Sequence, residues 1–97
     1  MPSPDQIRLL LVEDVPQVAQ YVRGLLQAQS SVRLVDTVAD GTLAPARINE
    51  HRPDVVVVDA LLQGRLRGMQ LVKLLHENDV GVPVLCLMRR QPGVSPF

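Results

Sequence analysis

Aromatic residues are almost absent from this 97-residue chain, which holds one tyrosine, one phenylalanine and no tryptophan. Hydrophobic residues nevertheless make up 46% of the chain, so any core must be built from aliphatic side chains. That proportion excludes an intrinsically disordered protein, and the length allows only one small domain. We therefore expect one domain over residues 1–97, with its core at about residues 6–88 and a loop-like tail at residues 89–97.

Excess charge, long apolar runs and paired cysteines are also absent. Ten basic residues balance ten acidic ones, whereas a nucleic-acid binder needs a surplus of lysine and arginine. No apolar run approaches the roughly 20 residues that cross a bilayer, and residues 1–5 lack the basic-then-apolar order of a signal peptide. Cys86 is the single cysteine and has no partner for an internal disulfide. These features predict a cytoplasmic protein without direct contact to nucleic acid or membrane.

Several common catalytic motifs are missing as well. The sequence contains no G-x-x-x-x-G-K-[ST] segment, which excludes a P-loop, and neither an H-E-x-x-H motif nor a nucleophile elbow. Lysine is scarce, since Lys73 stands alone against nine arginines. This shortage matters below because many phosphate-binding sites use lysine.

Two continuous apolar runs dominate what is present. Residues 7–12 are nearly all apolar, and four consecutive valines fill positions 55–58. Such runs are typical of strands buried on both faces, as in the centre of a parallel sheet. The pattern predicts strands at 7–12, 32–38, 54–59 and 82–88, and helices from Pro16 to about 29, from about 42 to 51, and from 69 to about 77.

Local signals refine three of these elements. Asp14 precedes Pro16 and is the expected N-cap of the first helix. The second strand alternates, which predicts that Val32, Leu34 and Asp36 share one side. The apolar face of the first helix is expected to comprise Val18, Tyr21, Val22, Leu25 and Leu26. The order β-α-β-α-β-α-β predicts an α/β fold with a doubly wound parallel sheet.

Carboxylates follow the ends of two of the predicted strands. Glu13 and Asp14 come directly after the first strand, and Asp59 ends the third. If these strands are neighbours, the three carboxylates meet at the sheet edge where α/β proteins bind ligands. Clustered carboxylates suit a hard divalent cation such as Mg²⁺, and an aspartate beside that metal can attack phosphorus to give an acyl phosphate. Asp14 alone is equally well explained as a helix cap, so the inference depends on all three residues together.

The chain resembles the receiver domains of two-component response regulators. The similarity lies in the run from Ile7 to Pro16, in Ala39-Asp40-Gly41, in the run from Arg52 to Asp59, in Gly68, and in Val82-Pro83-Val84-Leu85. The resemblance implies a flavodoxin-like doubly wound parallel sheet with strand order 2-1-3-4-5. It also implies a chain that is C-terminally truncated and partly degenerate, with order 2-1-3-4 and without the fifth strand and last helices.

The resemblance also implies a site and its partners. Glu13 and Asp14 would hold Mg²⁺ (or Mn²⁺) together with Asp59 and the backbone carbonyl of Leu61. Asp59 would be the phosphoacceptor, and a sensor histidine kinase or phosphotransfer protein would supply the phosphoryl group from a phosphohistidine. Enzyme activity would amount at most to self-phosphorylation and dephosphorylation at Asp59. An output domain would lie outside this chain.

The sequence departs from the family pattern around the expected phosphoryl group. The position of the family's switch Thr or Ser holds Met88, which cannot donate a hydrogen bond, and Arg89 follows it. The lysine and the switch aromatic of the family's fifth strand have no counterpart, and the loop after Asp59 contains no proline. We hypothesise that Arg65, Arg67 or Arg89 replaces the lysine, although Arg65 and Arg67 are also explained as solvated loop residues.

Three functional hypotheses follow. The first is a phosphoaccepting receiver that relays its signal by a conformational change. The second is a degenerate pseudo-receiver that serves as a docking or dimerisation module without phosphorylation, and the third is an unrelated flavodoxin-like domain that binds, for example, a nucleotide.

In the first two cases the fourth strand ends the sheet with an apolar edge. We expect a homodimer through this edge, or residues 89–97 covering it.

Overall fold

The computed structural model describes residues 5–78 and 81–88. Strands and helices alternate along the described chain, and none of the helices in these ranges is long and apolar enough to cross a membrane. The elements are β1 (Ile7–Val12), α1 (Pro16–Gln27), β2 (Val32–Val38), a 3₁₀ turn (Gly41–Leu43), α2 (Ala44–His51), β3 (Val55–Asp59), α3 (Gly68–Glu77) and β4 (Val84–Leu87).

The four strands form one parallel sheet in the order β2-β1-β3-β4. This order confirms the predicted flavodoxin-like architecture. It places β1 beside β3, with Val12 in register with Val58. The residues that follow these two strands therefore emerge at the same edge of the sheet.

The predicted bounds differ from the observed ones at the fourth strand, predicted at 82–88 and observed at Val84–Leu87, and at the start of the second helix. A 3₁₀ turn precedes α2 because Pro45 has no N–H to donate to the carbonyl of Gly41, and the Ala44 N–H bonds that carbonyl instead. Asp40 caps this turn, since its Oδ1 accepts hydrogen bonds from the backbone N–H (2.9 Å) and the hydroxyl (2.7 Å) of Thr42.

The core is entirely aliphatic, as the shortage of aromatic residues predicts. It lies between one face of the sheet and the helices α2 and α3, and all of its members are buried. Each large side chain in such a core contributes about 1.5–3 kcal/mol by leaving water. The members are Leu10, Val12, Val38, Ala44, Ile48, Val56, Val58, Leu62, Leu71 and Leu75.

The opposite face of the sheet is less completely covered. Helix α1 packs there against β2, but none of its residues is fully buried. Tyr21 and Leu25, predicted on its inner face, are 68% and 53% exposed. On β4, Leu85 is 58% exposed, and its register partner Val57 is only half-buried. The described residues thus leave an apolar strip open along β3 and β4.

Strand β2 contains an irregularity that the alternating pattern does not predict. Leu34 is in register with Leu9, but Asp36 is in register with Leu10, so one extra residue, Val35, interrupts the ladder. Because Leu9 and Leu10 point to opposite faces, Leu34 and Asp36 do so too, and the predicted shared side is wrong. Asp36 consequently faces α2.

An ion-pair cluster forms where Asp36 meets α2. Its Oδ2 atom lies 2.7 Å from Arg47 Nη1 and 3.1 Å from His51 Nε2, and its Oδ1 accepts a 2.8 Å hydrogen bond from the Thr37 N–H. Burial alone raises the pKa of Asp36, but the hydrogen bond and charge of Arg47, the Thr37 N–H and His51 together bring it below its ordinary value. The ionised carboxylate therefore stabilises the folded state.

The free energy of unfolding that is lost when this carboxylate is replaced depends on pH. We expect Asp36→Asn to lower the free energy of unfolding near neutral pH by about 1–2 kcal/mol, because Arg47 loses its ionic partner. The difference from wild type should shrink below about pH 3.9, the pKa of an unfolded aspartate, because the wild-type carboxyl then becomes protonated as well. Urea unfolding across this range measures the effect, with Glu77→Gln on the exposed side of α3 as the control. An equal loss at every pH would contradict the assignment.

Gly68 allows α3 to begin directly against the end of β3. A Cβ on this residue would overlap the carbonyl oxygen of Asp59 and lie 2.9 Å from the carbonyl carbon of Ala60. These obstacles are backbone atoms that no side-chain rotation can remove. Glycine is therefore required here for packing.

A pair of glycine substitutions tests this contact. Gly68→Ala should lower the free energy of unfolding by about 2–3 kcal/mol, because the added methyl group forces the α3 backbone away from β3. Gly24→Ala is the matched control: no atom lies within 4 Å of its added Cβ in α1. This variant should be more stable than wild type by about 0.5–1 kcal/mol. Thermal or urea unfolding compares the two, and a Gly68→Ala protein as stable as wild type would show that the contact is not tight.

Candidate functional site

The carboxyl ends of β1 and β3 bring together the three acidic residues singled out from the sequence. Glu13 continues the ladder beyond β1, since its N–H donates a 2.9 Å hydrogen bond to the Val38 carbonyl. Asp59 is the last residue of β3. One carboxylate oxygen from each of Glu13, Asp14 and Asp59 lies within 4.8 Å of the others. The predicted convergence of these side chains is thus observed.

Burial strengthens the electrostatic repulsion between the carboxylates of this cluster. Glu13 is 2% exposed and Asp59 0% exposed, while Asp14 is half-buried. Carboxylates repel one another at this separation, and the protein interior screens that repulsion less than water does. A hard divalent cation relieves the repulsion, and oxygen donors are the ligands that Mg²⁺ prefers. The donor set therefore fits Mg²⁺.

Asp14 contributes its side chain to this cluster and does not cap α1. The N-cap residue is Val15, and no side chain caps the helix. Asp14 Oδ2 instead accepts a 3.2 Å hydrogen bond from the backbone N–H of Gln63. Its Oδ1 is buried and has no hydrogen-bond partner among the described residues. The predicted capping role is wrong because a contact across the sheet edge turns the carboxylate away from the helix.

The loop after β3 is held close to Asp59 by its own backbone. The Leu61 N–H donates a 2.9 Å hydrogen bond to Asp59 Oδ1, and the Leu62 N–H donates one of 3.0 Å to the Asp59 carbonyl. The Leu61 carbonyl accepts a 2.9 Å hydrogen bond from Gln63 Nε2. Sequence reasoning missed Gln63, because a polar loop residue carries no local signal of contacts that only the folded loop creates.

The remaining residues of interest lie around this cluster or outside the described chain. Met88 follows β4 and is 75% exposed, whereas Arg89 lies outside the described residues. Arg65 is exposed and helps to lower the pKa of Asp40, after the stronger effect of the Thr42 hydrogen bonds. Lys73 Nζ lies 3.9 Å from Glu77 Oε1 on the exposed side of α3. The only lysine thus sits on a helix surface, as its place in the sequence predicts.

Comparisons with known proteins identify the family of the chain. Residues 9–92 match the response regulator receiver domain family. The transcriptional regulatory protein PhoP of Escherichia coli K12 is 33% identical over 85 residues, which are 88% of this chain and 37% of the relative. The virulence transcriptional regulatory protein PhoP of Salmonella typhimurium LT2 is 34% identical over the same shares. The chain thus spans 37% of the length of these curated relatives.

Solved structures show the same fold. The signal receiver domain of the response regulator NarL from Mycobacterium tuberculosis superposes with a TM-score of 0.79 at 27% identity, covering 92% of this chain and 72% of that one. A two-component response regulator of the LuxR family from Aurantimonas gives a TM-score of 0.78 at 28% identity, covering 89% and 61%. With the fold and the matched residues in agreement, the chain belongs to the response regulator receiver domain family.

Proposed function

We propose that this receiver domain accepts a phosphoryl group on Asp59 from a phosphohistidine of a sensor histidine kinase or phosphotransfer protein. Mg²⁺ (or Mn²⁺) would be held by Glu13, Asp14, Asp59 and the Leu61 carbonyl. The observation that carries the proposal is the convergence of three carboxylates within 4.8 Å where β1 and β3 end. Family membership supports it, since the matched residues 9–92 include Asp59, which the resemblance implies to be the phosphoacceptor.

The transfer exchanges one bond to phosphorus for another. An oxygen of the Asp59 carboxylate forms a bond to phosphorus while the bond from phosphorus to the donor imidazole nitrogen breaks. The imidazole leaves with the electron pair and takes up a proton, and hydrolysis of the acyl phosphate later regenerates Asp59. The cation, when bound, offsets the negative charge of the phosphoryl oxygens. The Leu61 N–H fixes the orientation of the attacking carboxylate by its hydrogen bond to Oδ1.

The burial of Asp59 adds a requirement to this reaction. Its side chain is 0% exposed, so a phosphoryl donor reaches it only when neighbouring residues of the domain move. In the following loop, residues 60–67, the part suited to this movement is Gly64 and Arg65, which are exposed and lie beyond the hydrogen-bonded Leu61 and Gln63. Gly64 also has a φ of 103°, which glycine adopts at little cost.

A second candidate function is supported by Met88. This exposed thioether occupies the position of the family's switch hydroxyl and offers no hydrogen-bond donor to a phosphoryl oxygen. The corresponding alternative is a pseudo-receiver that docks to partners without being phosphorylated. Either function fits a cytoplasmic signalling protein that acts through protein partners and an output domain outside this chain, without direct contact to nucleic acid or membrane.

Labelling with a small phosphodonor separates the two functions. Incubation with Mg²⁺ and acetyl phosphate should add the mass of one phosphoryl group to the wild-type protein, as measured by intact mass spectrometry. Asp59→Asn should remain unlabelled, because an amide oxygen is a poor nucleophile, whereas Asp54→Asn, at the opposite end of β3, should be labelled like wild type. A folded wild-type protein that gains no mass, with partner binding unaffected by Asp59→Asn, would favour the docking module.

We also propose that a second copy of the chain docks on β4. Among the described residues this strand pairs only with β3, so its outer edge presents unpaired backbone groups. Beside that edge, Leu85 exposes 58% of its surface on the open side of the sheet. Strand edges of this kind are usually covered in stable proteins. The alternative cover, residues 89–97, lies outside the described residues.

Light scattering coupled to size-exclusion chromatography tests the dimer. The wild-type protein should elute with twice the mass of the chain, and Leu85→Arg should shift it to the monomer by placing a charge in the apolar contact. Leu43→Arg is the matched control, since Leu43 is a similarly exposed leucine (48%) on the 3₁₀ turn, and it should leave the mass unchanged. A monomeric wild type at all concentrations would refute the proposed interface.

A further inference from the structure

We infer that Gln63 is a positioning residue for the cation site. It holds Asp14 and the Leu61 carbonyl in place for Mg²⁺. The inference rests on the proposed function, because it concerns the same cation. It adds a residue that the family pattern does not single out. Two separate hydrogen bonds, one from the backbone and one from the side chain, support it.

The backbone of Gln63 controls the orientation of Asp14. Its N–H donates a 3.2 Å hydrogen bond to Asp14 Oδ2, and it is available because residue 63 is not a proline. With Oδ2 engaged in this way, Asp14 Oδ1 is the oxygen that remains buried and without a hydrogen-bond partner among the described residues. A buried carboxylate oxygen of this kind is costly unless a cation or donor joins it. The contact thus assigns one oxygen of Asp14 to the protein and the other to the cation.

The side chain of Gln63 controls the carbonyl of Leu61. Its Nε2 donates a hydrogen bond of 2.9 Å to this oxygen. A carbonyl oxygen has two lone pairs, so the bond leaves one of them for a metal ion. The same peptide unit is also fixed from its other side, because the Leu62 N–H donates a 3.0 Å hydrogen bond to the Asp59 carbonyl. Gln63 therefore completes the fixation of a carbonyl that would otherwise turn with an exposed loop.

Fixed ligands favour Mg²⁺ over larger cations. Mg²⁺ requires near-octahedral oxygens at about 2.0–2.1 Å, whereas Ca²⁺ accepts variable geometry at about 2.3–2.6 Å. Loss of a group that orients a metal ligand typically weakens binding by about 10–100-fold. We therefore expect removal of the Gln63 amide to weaken Mg²⁺ binding more than Ca²⁺ binding. A residue that supported only the loop structure would not change this ratio.

The experiment compares Gln63→Met with the wild-type chain by calorimetric titration of Mg²⁺ and of Ca²⁺. Methionine keeps the length of the side chain and the backbone N–H, but it cannot donate to the Leu61 carbonyl. Gln20→Met is the matched control, because Gln20 is an exposed glutamine on α1. We expect Gln63→Met to bind Mg²⁺ about tenfold more weakly, with a smaller loss for Ca²⁺. Gln20→Met should bind both cations as wild type does.

Gln63 is exposed, so the substitution should leave the core intact, and thermal unfolding in the presence of a chelator verifies this. Wild-type Mg²⁺ affinity in Gln63→Met would overturn the inference while leaving the proposed function standing. Tighter Mg²⁺ binding by this variant would also overturn it, since Gln63 would then compete with the cation for the carbonyl. If the wild-type chain binds no Mg²⁺, the cation site of the proposed function fails, and the role of Gln63 fails with it.

Discussion

The parallel pairing of β1 with β3 is the constraint on which the rest of this domain depends. Val12 lies opposite Val58, so the next residue of each chain segment, Glu13 and Asp59, lies beside the other at the end of the sheet. The register is enforced by burial, since Val56 and Val58 must face the aliphatic core. A slip of one residue would turn Asp59 into that core and expose the valines instead. The same packing that stabilises the sheet therefore determines where the acidic cluster forms.

This arrangement places a cluster of carboxylates, which destabilises the folded state, at the end of an aliphatic core, which stabilises it. Glu13 and Asp59 are almost completely removed from water, and each lies next to another carboxylate. Carboxylates in this position oppose folding unless other groups compensate for them. The domain holds them with backbone hydrogen bonds, such as that from the Leu61 N–H to Asp59, and with the apolar strands beneath. Under the proposed function, the bound cation compensates for this cost.

The sequence predicts the parts of this structure that depend on burial. It fails where a single local irregularity or tertiary contact determines the orientation of a side chain. The apolar runs at 7–12 and 55–58 are long enough to predict central strands, and the strand order follows from the family resemblance. The side of Asp36 was predicted wrongly, because one extra residue in β2 reverses the alternation. For Asp14 the sequence offered both a helix cap and a place in the acidic cluster, and the cap is absent because the carboxylate accepts a hydrogen bond from the distant Gln63 N–H. The sequence pattern carries no trace of that contact.

The missing side chain of Gly68 has a mechanical consequence. Helix α3 begins in direct contact with the peptide that joins Asp59 to Ala60, and no side-chain atoms of Gly68 separate the two backbones. Because backbone meets backbone there, a displacement of this peptide must also displace the first turn of α3. The outer surface of this helix carries the exposed pair Lys73 and Glu77. The buried carboxylate is thus joined to a surface helix by a single backbone contact.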